Sequence, residues 1–393
     1  MSEKLYWENA YETKFAAKVI SVKKDGIVLD KTLFYPESGN QASDQGLLII
    51  RNKKFRVDIV SKDGENVLHH ISGDFENKIK LGDEVKGEID WDYRYGIMKA
   101  HTSQHIFSAV IKNKLKIDTV RANLNHEEVF LQISQKIDYQ QLNDILTEVN
   151  KICTSNNLEV KANLLTHKEA EKISEKIRSA IPKEPNIRLM EIKELDLVCC
   201  GGTHVKNTSE IGHIYIYDFK KGTEIKYLIG NKALLMSSKH NIDLIIIANN
   251  LNSPLDKTNK LINKRLELLD NIQEDQKNLS FKLLKSISKT PIKIINDIAL
   301  FYVDFNVDIK LLNKALDNFP QNAVIIVKFE TKKIRILSLS EKLDTSKLLD
   351  KLIKQFGGKG GGNPKSSQGS LENMPDDILS EIESLILNPK DRN

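Results

Sequence analysis

Two short segments constrain this chain more than anything else in it: HTSQH, with His101 and His105 at its ends, and CGGTH, with Cys200 and His204 at its ends. His101 and His105 stand four positions apart, so on a helix both imidazoles project from one face and can meet a single ion. Ile97, Met98, Ile106, Val110 and Ile111 recur at helical spacing around them, which predicts a helix running on from Tyr93. Cys200 and His204 are also four apart, but Gly201 and Gly202 lie between them, so a tight turn that folds both donors inward is the better expectation. One thiolate and three imidazoles suit Zn²⁺ better than Mg²⁺ or Ca²⁺, which take oxygen ligands. The two halves are far apart in sequence, and only the tertiary fold can assemble them.

Each half has a plain alternative. A histidine pair on a helix is often surface or packing, and CGGTH can be a turn carrying a core thiol. Both halves in a chain with nine histidines favour ligation. Cys199, as the neighbour of Cys200 on an extended segment, points the other way and is expected to pack. Four protein donors are typical of a closed structural zinc, whereas a catalytic zinc keeps a position for water. Spacing leaves that choice open.

A chain of 393 residues admits two or three cores at roughly 100–200 residues per domain. With 40% hydrophobic and 29% charged residues it falls among globular proteins, which excludes a disordered chain. No run approaches the ~20 apolar residues that span a bilayer, so no membrane partner is expected. Met1 to Lys14 lacks the apolar core of a secretory signal. Cys153, Cys199 and Cys200 make a poor disulfide framework, and a cytoplasmic location with metal or thiol chemistry is the expectation. A net charge of +5 permits nucleic-acid binding without requiring it.

The pattern along the chain is that of an α+β multidomain protein. Residues 1–90 alternate apolar and polar positions in short runs, as in Ala17 to Leu29 and Lys54 to Ile59, and predict a small β-barrel domain with its longest loop at Tyr35 to Gly46. Residues 91–240 predict an α+β zinc-containing core: the histidine helix, a strand at Val129 to Ile133, helices at Tyr139 to Ser155 and His167 to Ala180, and strands at Ile211 to Phe219 and Ile225 to Ile229. Residues 241–290 predict a helical arm, in which Leu255, Ile262, Leu269, Leu279 and Leu283 fall near heptad positions while Thr258, Arg265 and Gln276 interrupt the seam. Residues 291–393 predict a separate α/β domain. Its strands are expected at Ile292 to Val303, Ala323 to Phe329 and Ile334 to Leu339, its helices at Thr345 to Phe356 and Asp376 to Leu387. The intervening GGKGGGNP segment is read as a loop that could approach phosphate through backbone N–H groups, with a flexible hinge as the alternative.

Taken together, HTSQH, the distant CGGTHV and the following NTSEIGHI resemble the editing domain of alanyl-tRNA synthetases and of the free-standing AlaX-type alanyl-tRNA deacylases. FYPESGNQASDQG looks like the glycine-rich loop of that family's N-terminal β-domain, and the last domain resembles the DHH-associated domain that closes its long members. The resemblance implies a zinc-dependent hydrolase that removes serine, with misloaded glycine as a further candidate, from tRNA(Ala) in the interest of translation fidelity. It implies that His101, His105, Cys200 and His204 hold Zn²⁺ and that Thr102 reads the seryl hydroxyl. A helical threonine also commonly bonds its own backbone carbonyl, and that alternative stands beside the first. Lys359, Gly360 and Gly361 are the implied tRNA contacts, and a homodimer through the helical arm or the C-terminal domain is a further expectation. No segment before Tyr6 leaves room for a class II aminoacylation domain, so removal of amino acids rather than attachment is expected. The rival readings are a non-catalytic tRNA-binding protein with a structural zinc, and a deacylase of another small aminoacyl-tRNA. Asn40 stands where the family usually has glycine, and Glu224 where an arginine is common, which puts tRNA contacts and substrate preference in question more than the metal site.

Overall fold

Alternation of apolar and polar residues at the N-terminus closes six antiparallel strands into a barrel, in the order 14–23, 26–29, 66–71, 53–63, 46–50 and 84–89 and back to the first. Its inward positions, among them Val19, Ile27, Leu48, Val57, Val67 and Val85, are buried, and each such side chain contributes roughly 1.5–3 kcal/mol. The structure is a computed structural model that describes residues 1–73, 75, 78–329 and 332–387. The last six positions of the domain expected at 291–393 lie outside the described residues. Contacts divide the chain into two units, Met1–Ile246 and Ile247–Asn393.

In the first unit the barrel is followed by the helix Trp91–Leu115. Asp90 caps it by accepting from the Tyr93 N–H at 3.2 Å, and Lys116, in the left-handed conformation with φ 61°, ends it. Most of its length is buried, with Ile97, Met98, Phe107 and Ile111 in the main apolar cluster or fully enclosed beside it. A four-stranded antiparallel sheet, in the order 214–220, 224–229, 128–133 and 119–125, supplies much of the rest of that cluster, and a three-stranded sheet of 160–166, 186–192 and 196–199 carries the chain into Cys200. The helix expected from His167 to Ala180 is shorter, His167–Lys172, followed by a single 3-10 turn. From there the chain is turned to the sheet: the Arg178 N–H donates to Leu197 O at 2.8 Å, and its guanidinium pairs with Asp196.

The loop Tyr35 to Gly46 is pinned to the histidine helix. Arg94 and Asp44, both fully buried, form a bidentate ion pair, with Arg94 Nε 2.7 Å from Asp44 Oδ1, and the Arg94 guanidinium also donates to the carbonyls of Ala10 and Leu33. Removing either partner of such a pair costs about 3–5 kcal/mol, because the other charge is left buried and uncompensated. Within the loop, Asn40 has φ 65°, a left-handed position that asparagine tolerates better than most residues, so this departure from glycine is accommodated.

The second unit holds a six-stranded mixed sheet in the order 293–295, 298–303, 323–329, 333–338, 366–371 and 358–363. Period-2 alternation fills both faces: Phe301, Val303, Ile325 and Val327 on one, Leu300, Val324, Ile326 and Ile336 on the other, where the helix Thr345–Phe356 covers them with Leu348, Leu349 and Leu352. The single strand expected from Ile292 to Val303 is a hairpin instead, because Asn296 and Asp297 both take positive φ and make the two-residue turn. The GGKGGGNP segment is not a loop. Gly358–Asn363 is an edge strand paired antiparallel to Ser366–Leu371. The arm expected at 241–290 is helical over Gly230–Asn250 and Thr258–Ile287, and Leu255, Leu269, Leu279 and Leu283 of its expected seam are exposed along the second helix and just before it.

Candidate metal centre

The fold brings both sequence halves to one point. His101 and His105 share the buried face of Trp91–Leu115, while the strand Asp196–Cys199 delivers Cys200 and a turn returns His204 beside it. One donor atom from each of the four residues lies within 4.8 Å of all the others. Cys200 Sγ stands 3.3 Å from both His101 Nε2 and His204 Nε2. Tetrahedral zinc with nitrogen and sulfur ligands at ~2.0–2.3 Å sets its donors about 3.3–3.8 Å apart; the two Cys200 contacts have that spacing and no pair of donors exceeds 4.8 Å, so the four could hold an ion.

The fit depends on Gly202. A Cβ there would fall 2.2 Å from His101 Cε1 and 2.6 Å from Gln41 Oε1, so only glycine lets the turn close on the imidazole. Cys199 lies against a separate apolar cluster of Ala170, Ile177, Ile187 and Leu189, on the other side from Cys200, which packs on the main one.

Two of the three imidazoles, His101 and His204, are oriented through Nδ1 by different partners, which leaves their Nε2 atoms toward Cys200. His101 Nδ1 donates to Gln41 Oε1 at 2.7 Å, and Gln41 is itself fixed by the Thr203 N–H at 3.1 Å and by its own Nε2 donating to Thr203 Oγ1 at 3.0 Å. His204 Nδ1 donates to Thr102 Oγ1 at 3.2 Å. His105 Nδ1 stands 3.5 Å from Asp196 Oδ2, near enough for ion pairing but without hydrogen-bond alignment, so this buried nitrogen has no hydrogen-bond partner. A small rotation of the ring would close that contact and complete a carboxylate–histidine pair of the kind that supports metal ligands. Asp196 is held for it by Arg178, whose Nε and Nη2 donate to its two oxygens at 2.7 Å each.

Electrostatics favour the ligating forms of Cys200, His204 and His101 and the protonated form of His105, which an ion would have to displace. Burial opposes ionisation of Cys200, but the imidazoles of His101 and His204 outweigh it and hold the thiol well below its ordinary value. Burial and the neighbouring His101 ring keep His204 neutral, and burial lowers His101 as well. At His105 burial pulls the same way, yet Asp196 and Cys200 win and raise it to about 9.

Thr102 is completely buried between the two halves. Its Oγ1 donates to Met98 O at 2.9 Å, the backbone contact expected of a helical threonine, and accepts from the Val205 N–H at 3.2 Å besides His204. Lys359, Gly360 and Gly361 are remote in sequence from these four residues and belong to the other unit, on the edge strand. Lys359 and Gly360 line a groove there together with Phe329 and Lys333. Glu224 receives Lys221 Nζ at 2.7 Å, so this departure is neutralised locally. Sequence reasoning missed Gln41, Asp196 and Arg178. Gln41 lies inside the quoted FYPESGNQASDQG loop, whereas Asp196 and Arg178 carry no spacing signal.

A chain with this architecture matches Alanyl-tRNA editing protein AlaX-L of Pyrococcus horikoshii at 31% identity over 399 aligned residues, which cover 96% of this chain and 97% of that protein. The chain belongs to the alanyl-tRNA editing proteins of the long AlaX form. Three family descriptions match this editing-family chain: class II tRNA synthetases (A) over residues 5–93, the second additional domain of threonyl and alanyl tRNA synthetases over 187–226, and the DHHA1 domain over 298–388. The second of these contains Cys200 and His204. The Alanine--tRNA ligase of Sulfurisphaera tokodaii is 29% identical over 98% of this chain, which spans only 44% of that enzyme. Among solved structures, the C-Ala domain of Aquifex aeolicus alanyl-tRNA synthetase aligns with 24% of this chain at 20% identity and a TM-score of 0.21, too low to argue from.

Proposed function

We propose that this editing-family chain hydrolyses mischarged Ser-tRNA(Ala), and Gly-tRNA(Ala) with it, with Zn²⁺ held by His101, His105, Cys200 and His204. The observation that carries the reading is the convergence of three imidazole nitrogens and one cysteine sulfur in a chain of this family. When bound, the ion supplies Lewis acidity toward an ester carbonyl or a water molecule. The chain's own part is to orient the donors: Gln41 and Thr102 fix the His101 and His204 rings, Asp196 faces His105 at 3.5 Å, and the Arg178 pair holds Asp196. Editing of serine selects the substrate with the extra hydroxyl, which a hydrogen-bonding site can do by large factors.

Thr102 remains the proposed reader of that hydroxyl, at a cost. Its Oγ1 already has three partners, and contact with substrate requires it to give one up. In the second unit, Lys359, Gly360 and Gly361 are proposed to contact the tRNA, along the open edge of the strand Gly358–Asn363. The exposed leucines of Thr258–Ile287 are proposed to pair with a second copy, which a measurement of oligomeric state checks. No helix among the described residues is long and apolar enough to cross a membrane, and a cytoplasmic site of action is part of the same reading.

One observation favours a second reading. The three histidines are each about one-twentieth exposed and four protein donors close the set, which is the pattern of a structural zinc in a non-catalytic tRNA-binding protein. Deacylation of Ser-, Gly- and Ala-tRNA(Ala), with zinc loaded and after chelation, separates the two. Hydrolysis of the first two that disappears on chelation and returns with zinc supports the enzyme. Ser-tRNA(Ala) persisting at the uncatalysed rate with zinc fully loaded overturns it, and a faster loss of another small aminoacyl-tRNA moves the substrate.

A further inference from the structure

The turn that carries Cys200 is gripped from its far side as well as from the histidine side. Trp7 Nε1 donates to Gly201 O at 2.8 Å, and Arg188 Nη1 donates to both Cys200 O and Gly202 O at 2.9 Å. All three carbonyls of the turn are thereby taken by two side chains, and both of those side chains line one cleft of 490 Å³ together with Ser2, Lys4 and Asn163. That volume lies within the about 300–1,000 Å³ of small-ligand sites.

The charge balance of this cleft is unusual. Among the described residues no carboxylate pairs with Arg188, and its Nε and Nη2 have no protein acceptor. A Zn²⁺ ion with three neutral imidazoles and one thiolate carries a net single positive charge, so the loaded turn offers Arg188 no surplus of negative charge. A largely enclosed guanidinium with a free fork is the arrangement that takes a phosphodiester. Lys4 adds a second cation at 4.7 Å over the Trp7 ring, and that ring is partly exposed on the cleft wall, where a base can stack. Glu3 and Glu8 also line the cleft, both exposed and neither paired with Arg188.

We propose that this cleft seats the 3′-terminal nucleotides of tRNA, with a phosphodiester on Arg188 and Lys4 and a base stacked on Trp7. The proposal rests on the deacylase reading, because the ester to be cleaved hangs from the terminal ribose and must lie beside the Cys200 turn. The two residues that hold the turn's carbonyls then also hold the nucleotide, so substrate seating and the ligand geometry share one set of contacts.

The test uses the full chain loaded with zinc and carrying Trp91→Phe, so that Trp7 is its one tryptophan, since the sequence has two. The probe is the trinucleotide cytidylyl-cytidylyl-adenosine. Saturable quenching of Trp7 fluorescence is expected, with affinity falling as salt rises and about tenfold or more weaker in Arg188→Gln, compared on protein brought to full zinc loading. Because Arg188→Gln can loosen the turn, Asn163→Asp is the second variant: it adds a negative charge on an exposed strand position of the cleft wall and should weaken the probe by a similar factor. No quenching at saturating trinucleotide, or equal affinity in both variants and the parent, overturns the cleft. The trinucleotide carries no amino acid, so a protein that quenches but does not deacylate leaves the cleft standing and sinks the enzyme reading, and one that deacylates without quenching does the reverse.

Discussion

Two glycine-rich segments, Cys200 to Thr203 in the first unit and Gly358 to Gly362 in the second, look alike in composition and are held in opposite ways. The first is fixed by side chains: Gln41 reaches it from the histidine side, with Thr102 holding the adjoining His204 and Val205, and Trp7 and Arg188 from the other. The second is fixed by backbone pairing to Ser366–Leu371, with Gly360 and Gly362 close under the partner strand and Gly361 facing open space. In the first, glycine makes room for an imidazole; in the second it lets two strands lie close. Substitutions in and around the first should therefore change metal binding and activity, and substitutions in the second should change local stability or the proposed tRNA contact and leave metal binding alone.

The largest effect is expected for Gly202→Ala. The added methyl meets the His101 ring at 2.2 Å, and neither side can yield easily, because Arg188 holds the Gly202 carbonyl and Gln41 holds the ring. Zinc affinity should fall by at least ~100-fold, beyond the usual reach of an outer contact, and deacylation should fall with it. Zinc titration against a competing chelator measures it. Affinity within a factor of two of the parent would break the contrast between the two segments.

Next comes Asp196→Asn, which keeps the shape but removes the charge that faces His105 and pairs with Arg178. Loss of a carboxylate behind a ligating histidine typically lowers metal affinity ~10–100-fold. The same measurement on Arg178→Gln should give a smaller loss in the same direction, since Arg178 acts on His105 only through Asp196. Equal affinity in Asp196→Asn would mean that the 3.5 Å contact never closes when the ion binds.

What could be read in the sequence follows the same division. The four donors were legible because they are chemically rare and lie at spacings that a helix or a tight turn converts into convergence, and the helix was legible because Ile97, Met98, Ile106, Val110 and Ile111 mark one continuous face. The barrel and the α/β character of the C-terminal unit were legible from alternation. The partners of the imidazoles were not, because Gln41 and Asp196 reach them through tertiary contacts that leave no periodic trace. The edge strand Gly358–Asn363 was hidden for a different reason. Glycine has a low strand propensity, and the pairing that overrides it lies in Ser366–Leu371, whose polar residues signal a turn as readily as a strand. The hairpin at Asn296 and Asp297 could have been found, since two such residues between apolar runs are a turn signal.

Thr102→Val probes the joint between the two halves of the centre. The methyl replaces a hydroxyl that donates to Met98 O and accepts from His204 Nδ1 and the Val205 N–H. Leaving buried polar groups unpaired costs about 1–3 kcal/mol, so deacylation should fall roughly 10–100-fold through a misplaced His204. The ratio of Ser-tRNA(Ala) to Gly-tRNA(Ala) hydrolysis then divides the two roles. A reader of the seryl hydroxyl loses the serine substrate selectively, and a residue that only orients His204 loses both alike, with Thr102→Ser restoring activity in either case.

The smallest effects belong to the second segment, and there the two neighbours should differ. At Gly360 a Cβ would come within 2.6 Å of Gln368 O and 2.7 Å of Gly369 Cα, both backbone atoms that cannot turn away. Gly360→Ala should therefore cost about 1–3 kcal/mol of stability, the range of overpacking. At Gly361 nothing lies within 4 Å of the added atom, so Gly361→Ala should stay within about 0.5 kcal/mol of the parent, the range of an exposed surface change. Thermal unfolding followed by circular dichroism reads both, and zinc content should be unchanged in each. If Gly361→Ala nevertheless weakens tRNA binding while leaving stability intact, the open edge is used as a contact surface, and the proposed role of Lys359 and its neighbours gains direct support. If both variants unfold alike, the hairpin is held by something other than the close backbone approach at Gly360.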